Sequence, residues 1–122
     1  MRKKIAKADI PNASGRIYPK EVVEEMANDI NNRDGKILCY SEGSGLIDDI
    51  VGVVSDAKVE DNELSVTIDI LNTPNGVHIK DMLKCVSEDN FEGVITGTGC
   101  VDKDNIVSDY KLTGVLFKLK DK

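Results

Sequence analysis

The chain has 122 residues, 40% of them apolar and 31% charged, with 22 acidic against 16 basic side chains for a net charge of −6. That length suits one domain, residues 1–122, with enough buried surface to fold without a metal or disulfide staple. The negative balance argues against a protein whose main task is gripping nucleic-acid phosphates, and no apolar run approaches the ~20 residues of a membrane span.

Two short basic ends, Arg2-Lys3-Lys4 and Lys118 to Lys122, do not overturn that reading. No apolar segment follows the first to make a secretory signal. Cys39, Cys85 and Cys100 are an odd number and widely spaced, which reads as reduced thiols in a cytosolic protein rather than a disulfide framework. With no Cys-x-x-Cys and His78 the single histidine, neither a structural zinc site nor any other cofactor is expected. Five aromatic residues and no tryptophan make a poor platform for stacking bases.

Taken in chain order, Lys3–Ile10 alternates loosely and predicts an edge strand ending at the turn-forming run Pro11-Asn12-Ala13-Ser14-Gly15. Val22, Val23, Met26 and Ile30 then fall at helical spacing, predicting an amphipathic helix over Pro19–Asn32. Its early acidic residues suit the positive end of the helix dipole. Lys36–Ser41 reads as a short buried strand, Glu42–Gly45 as a loop, and Ile47–Val59 as a long strand with a bulge at Gly52. Asp61-Asn62 signals a hairpin turn. Leu64, Val66, Ile68 and Ile70 alternate with polar residues, so the next strand has one buried face. Asn72-Thr73-Pro74 starts a second helix, with Ile79, Met82, Leu83 and Val86 on one side. Ser87–Asn90 reads as a loop, Gly93–Val101 as a strand, and Asn105–Leu119 as a strand with a break near Gly114. The order predicts an α+β fold: a mostly antiparallel curled sheet or small barrel flanked by two helices.

Several motifs carry less chemistry than they suggest. Gly93-Val94-Ile95-Thr96-Gly97-Thr98-Gly99 lacks the Gly-Lys-[Ser/Thr] and following helix of a phosphate loop, and reads as a strand with small residues where another backbone comes close. Asp102-Lys103-Asp104-Asn105 begins like a calcium loop but lacks its glycine and terminal glutamate, so a solvated hairpin turn is expected. Asp48 and Asp49 are adjacent on an expected strand and point to opposite faces. His78 lies on the second helix, where it needs a nucleophile such as Cys39 or Cys100 within reach to act as a base.

Together the pieces resemble the prohead proteases of tailed phages, which mature capsids and share the herpesvirus assemblin-type fold. Asn12-Ala13-Ser14-Gly15-Arg16-Ile17-Tyr18-Pro19-Lys20-Glu21-Val22 is similar to that family's N-x-N-G-R-x-Y-P-x-x-V stretch, and Ile70-Leu71-Asn72-Thr73-Pro74-Asn75-Gly76 to its I-L-x-T-P-x-G run. The segment Gly93–Gly99 falls where the family carries its nucleophile. Here the sequence departs. The segment where the family has its histidine is Lys36–Gly43, without one, and the serine position falls on Ile95 or Thr96. The arginine that follows it in the family is replaced by Gly97 or Thr98.

The resemblance therefore implies a protease scaffold that has lost its Ser–His pair, with Cys39, Tyr40, Ser41, Ile95, Thr96 and Thr98 as vestigial cleft positions. It implies a head component that binds phage capsid or other head proteins, made in the host cytoplasm and carried in the virion head. No nucleic acid and no membrane partner are expected, and homo-oligomerisation is left open. The contrary expectations are an active maturation protease using Thr96 or Cys39 with His78, and an unrelated small protein-binding module.

Overall fold

A computed structural model describes residues 1–41 and 49–120. Strand β1 (Arg2–Lys7) precedes helix α1 (Lys20–Asn32), and β2 (Ile37–Tyr40), β3 (Ile50–Glu60) and β4 (Glu63–Ile70) follow. After helix α2 (Pro74–Leu83) and a 3-10 turn at Glu88–Asn90 come β5 (Phe91–Val101) and β6 (Val107–Leu119). The loop expected at Glu42–Gly45, the start of the Ile47 strand and Asp48 lie outside the described residues.

The six strands form one sheet in the order β1-β4-β3-β2-β6-β5. Every ladder is antiparallel except β2 on β6. The sheet curls so that β1 approaches β5, and Val22, Val23, Met26, Ala27 and Ile30 of α1 fill its hollow with Val54, Leu64, Val66, Ile68, Val115 and Phe117. This is the α+β architecture that the alternation of elements predicts. At one end the curl is closed by the segment after β1: Ala8 bridges Tyr18, and Ile17 bridges Ile106.

Local chemistry explains the boundaries. Pro19 caps α1 from outside rather than opening it: its carbonyl accepts from Val22 and Val23 N–H at 3.0 and 3.1 Å. The β3–β4 hairpin turns on Asp61 and Asn62, both at positive φ (53° and 63°), as a two-residue turn of matching twist requires. The expected bulge falls beside Gly52, where Cys39 faces Gly52 but Tyr40 faces Ile50. A Cβ on Gly52 would sit 2.4 Å from Asp69 O.

Three expectations are corrected. Helix α2 ends at Leu83, so Val86 lies beyond it, and Met82 is 37% exposed rather than core. Ser87–Asn90 is not plain loop, because Ser87 Oγ accepts from Asp89 N–H at 3.3 Å and starts the 3-10 turn. Strand β6 runs unbroken through Gly114. The irregularity there is a bulge: Thr96 pairs with Gly114 and Gly97 with Leu112, which leaves Thr113 over.

Candidate functional site

Strand register decides which nominated residues share a surface, since side chains alternate between faces. Thr96 of β5 pairs with Gly114 of β6, Gly114 with Leu38 of β2, and Leu38 with Val53 of β3. The neighbouring row on that face is Val94, Leu116, Tyr40 and Ile50. Between these rows lies Ile95, Val115, Cys39 and Gly52, which faces the core.

The structure thus brings Tyr40 and Thr96 together on the outer face, with Thr98 next along β5. It sends Cys39 and Ile95 the other way. Tyr40 and Thr96 meet over Gly114: a Cβ there would be 3.0 Å from both Thr96 Oγ1 and Tyr40 Cε2. No side chain from β6 fits between them without displacing one. The Thr96 carbonyl accepts from Thr113 Oγ1 at 3.2 Å, but the Thr96 hydroxyl makes no hydrogen bond among the described residues.

Ser41 is bound elsewhere. Its Oγ accepts from Asn75 Nδ2 at 2.9 Å and donates to Asp49 O at 3.3 Å, tying the end of β2 to the first turn of α2. Thr73 anchors the same corner, accepting from Gly76 N–H at 3.0 Å and donating to Ile50 O. His78 is exposed on α2, which packs on β3 and β4, and it hydrogen-bonds to none of the described residues. Cys39 is fully buried, and desolvation pushes its thiol up from 9.0 to about 12. A thiol so placed stays protonated and is no nucleophile.

The turn expected at Asp102–Asn105 is present. Asp102 Oδ1 accepts from Asp104 and Ile106 N–H at 2.8 and 3.0 Å, so its carboxylate serves the turn itself. Among the described residues no three His, Cys, Asp or Glu side chains are grouped to hold a metal ion. Residue-by-residue reading named Gly114 only as a strand break and did not single out Leu38, because only the parallel join of β2 to β6 places the two in the row of Thr96. It also missed Tyr110, which stands edge-on to Tyr18 with ring centroids 5.2 Å apart. Burial, and then Tyr18, raise the Tyr110 phenol well above its ordinary range, while nearby Arg16 pulls it down. The only sequence signal for that pair is the Arg16-Ile17-Tyr18 stretch.

No family model and no curated protein matches the chain. Among solved structures, the chain matches the capsid assembly protease of bacteriophage T4 with a TM-score of 0.81 at 17% identity, over 99% of this chain and 82% of that one. The chain therefore shares the fold of that phage protease, in keeping with the fold that the resemblance of the Asn12–Val22 and Ile70–Gly76 motifs implies. The likeness is one of architecture, in two helices and a curled six-stranded sheet.

Proposed function

We propose that the chain, as one domain, is a head protein of a tailed phage that keeps the maturation-protease scaffold without its chemistry and works by binding capsid protein. The row Thr96–Gly114–Leu38 carries this reading. Acyl transfer by a hydroxyl needs a base within hydrogen-bond reach. Thr96 pairs with a glycine, beyond which lie Leu38 and the Tyr40 ring. That row holds no histidine or carboxylate, and no hydrogen bond reaches the Thr96 hydroxyl among the described residues. Loss of both nucleophile and base costs several orders of magnitude in rate. With Cys39 buried and His78 exposed on α2, no substitute pair is assembled among the described residues. The vestigial cleft positions Tyr40, Thr96 and Thr98 become part of a binding face, with capsid or other head proteins as partners. The chain then has no role toward nucleic acid or membrane; it is made in the host cytoplasm and carried in the head. The T4 neighbour, a capsid assembly protease, supports the setting.

Quantitative mass spectrometry of purified mature particles tests this by counting copies of the chain per major capsid protein. An intact chain at a fixed, symmetry-compatible ratio is the expected result. Its absence from particles, with capsid protein trimmed only when the chain is present, overturns the proposal. In that event His78→Ala identifies the base: a cleavage that survives the substitution does not use His78.

A further inference from the structure

We infer that residues 97–112, the outer half of the β5–β6 hairpin, form an arm that opens as a unit about the bulge at Thr96, and that Ile17 and Tyr18 are the latch that holds it closed. The inference goes beyond the proposed function and stands whether or not the Thr96 face binds capsid protein.

The sheet supports β6 unequally. From Gly114 to Leu116 the strand is paired on both sides, with β5 and with β2. Between Val107 and Leu112 its ladder partner among the described residues is β5 alone. That part of the hairpin is also the irregular part. Bulges interrupt it at Thr96/Gly97 and at Thr98/Cys100, each leaving its extra residue on β6, and Asp109 in the second takes φ 50°. Bulges bend a ladder, and a two-stranded hairpin without further support is marginal in water. Gly97 to Val101 are exposed throughout. Contacts outside the ladder must therefore hold the arm.

The Arg16-Ile17-Tyr18 stretch supplies them. Ile17 N–H donates to Asn105 O and Val107 N–H donates to Ile17 O, both at 2.8 Å, on either side of the bridge to Ile106. The Tyr18 ring stands edge-on to Tyr110, and Tyr110 lies across the arm. A Cβ on Gly97 would meet its Cζ and Oη at 2.8 Å, and one on Gly99 its Cδ1 at 3.1 Å. The latch is itself anchored at both ends. Tyr18 O accepts from Asp9 N–H at 2.8 Å, Ala8 N–H donates to Asn62 O at 2.7 Å in the β3–β4 turn, and Pro19 caps α1. A cavity of about 280 Å³ runs along the seam, with Arg16 and Tyr18 on one bank and Thr98, Gly99 and Tyr110 on the other. The arm and its latch thus meet over limited contact. Opening uncovers Val107 and Leu112, which are buried in the closed arm, but leaves α1 and the other strands packed, so it costs less than global unfolding. Gly97 follows Thr96 directly, so each opening also shifts Thr96 against Gly114.

The test is native-state hydrogen exchange followed by NMR on the full chain. The Ile17 and Val107 amides, both committed to the latch, should share one opening free energy and exchange about tenfold or more faster than the Val115 amide. A staple then closes the arm. Ile17→Cys with Ile106→Cys joins bridge partners within disulfide reach, in a chain whose exposed Cys85 and Cys100 are changed to serine. Oxidation should slow exchange at Thr98, Val107 and Lys111 by about tenfold or more, and reduction should restore it, with Val115 unmoved in both states. Gly97→Ala needs no disulfide and works in the opposite sense. Its Cβ would lie 2.2 Å from Lys111 O, so it should speed the arm amides while Val115 keeps pace with global stability. Four results overturn the inference: Ile17 and Val107 exchanging no faster than Val115; the two opening with different free energies, which makes the strap fray alone; cysteines at 17 and 106 that do not join on oxidation; or a formed disulfide that leaves the arm rates unchanged.

Discussion

Cys39 lies on the inner face between Val115 and Gly52, while Cys85 and Cys100 are exposed. Iodoacetamide at about pH 8 should therefore label Cys85 and Cys100 in the native protein and reach Cys39 only after unfolding, as peptide mass spectrometry will read out. The same burial has a sign in pH. The folded thiol is raised above its unfolded value, so its contribution to stability is intact below about pH 9 and is lost as pH rises toward about 12. Denaturant midpoints across that window should fall, and Cys39→Ala should flatten the fall. At Gly114 the constraint is steric rather than ionic. Gly114→Val should destabilise by about 1–3 kcal/mol through forced displacement of Thr96 and Tyr40, measurable by thermal unfolding.

Among the elements, α1 is held to β3 by one side chain as well as by its apolar stripe. Asn31 Nδ2 donates to Ala57 O and Asn31 Oδ1 accepts from Ala57 N–H, both at 2.9 Å. Ala57 sits in the bulge after Ser55, where Asp56 takes φ 49° and the ladder to β4 slips, so these two backbone groups have left the ladder. Asn31→Ala should cost about 1–3 kcal/mol, and Thr73→Ala at the cap of α2 about 1 kcal/mol, each read as a shift in denaturant midpoint. These elements differ in how far periodicity revealed them. The stripe Val22, Val23, Met26, Ile30 and the alternation Leu64, Val66, Ile68 are local signals, and both became the elements they predict. The end of α2 was not legible: Met82 and Val86 continue a helical pattern in sequence, but the chain turns at Lys84, whose N–H bonds to Asp81 O.

Across the whole molecule, the site was legible as a list of positions but not as a surface. Residues 38–40 and 114–116 are neighbours only through the parallel pairing of β2 with β6, and no local pattern encodes a join of that span. Alternation says that Cys39 and Tyr40 must face opposite ways; it does not say which one faces the core. The topology also ranks the strands by protection. β2 is flanked on both sides, whereas the far half of β5 is exposed from Gly97 to Val101. Native-state hydrogen exchange should therefore be slowest at Cys39 and Val115 and fastest on β5 beyond Thr96.

The β2–β6 join also sets a schedule for the growing chain. Strand β2 can find β3 soon after both are made, but its second neighbour, β6, leaves the ribosome only after β3, β4, α2 and β5. Until then Cys39 and Leu38 line an unfinished edge, and the outer face bearing Thr96 does not exist. Closure by so distant a pairing places folding toward the slower, millisecond-to-second regime. The outer face bearing Thr96 is accordingly assembled only after β6 has been made.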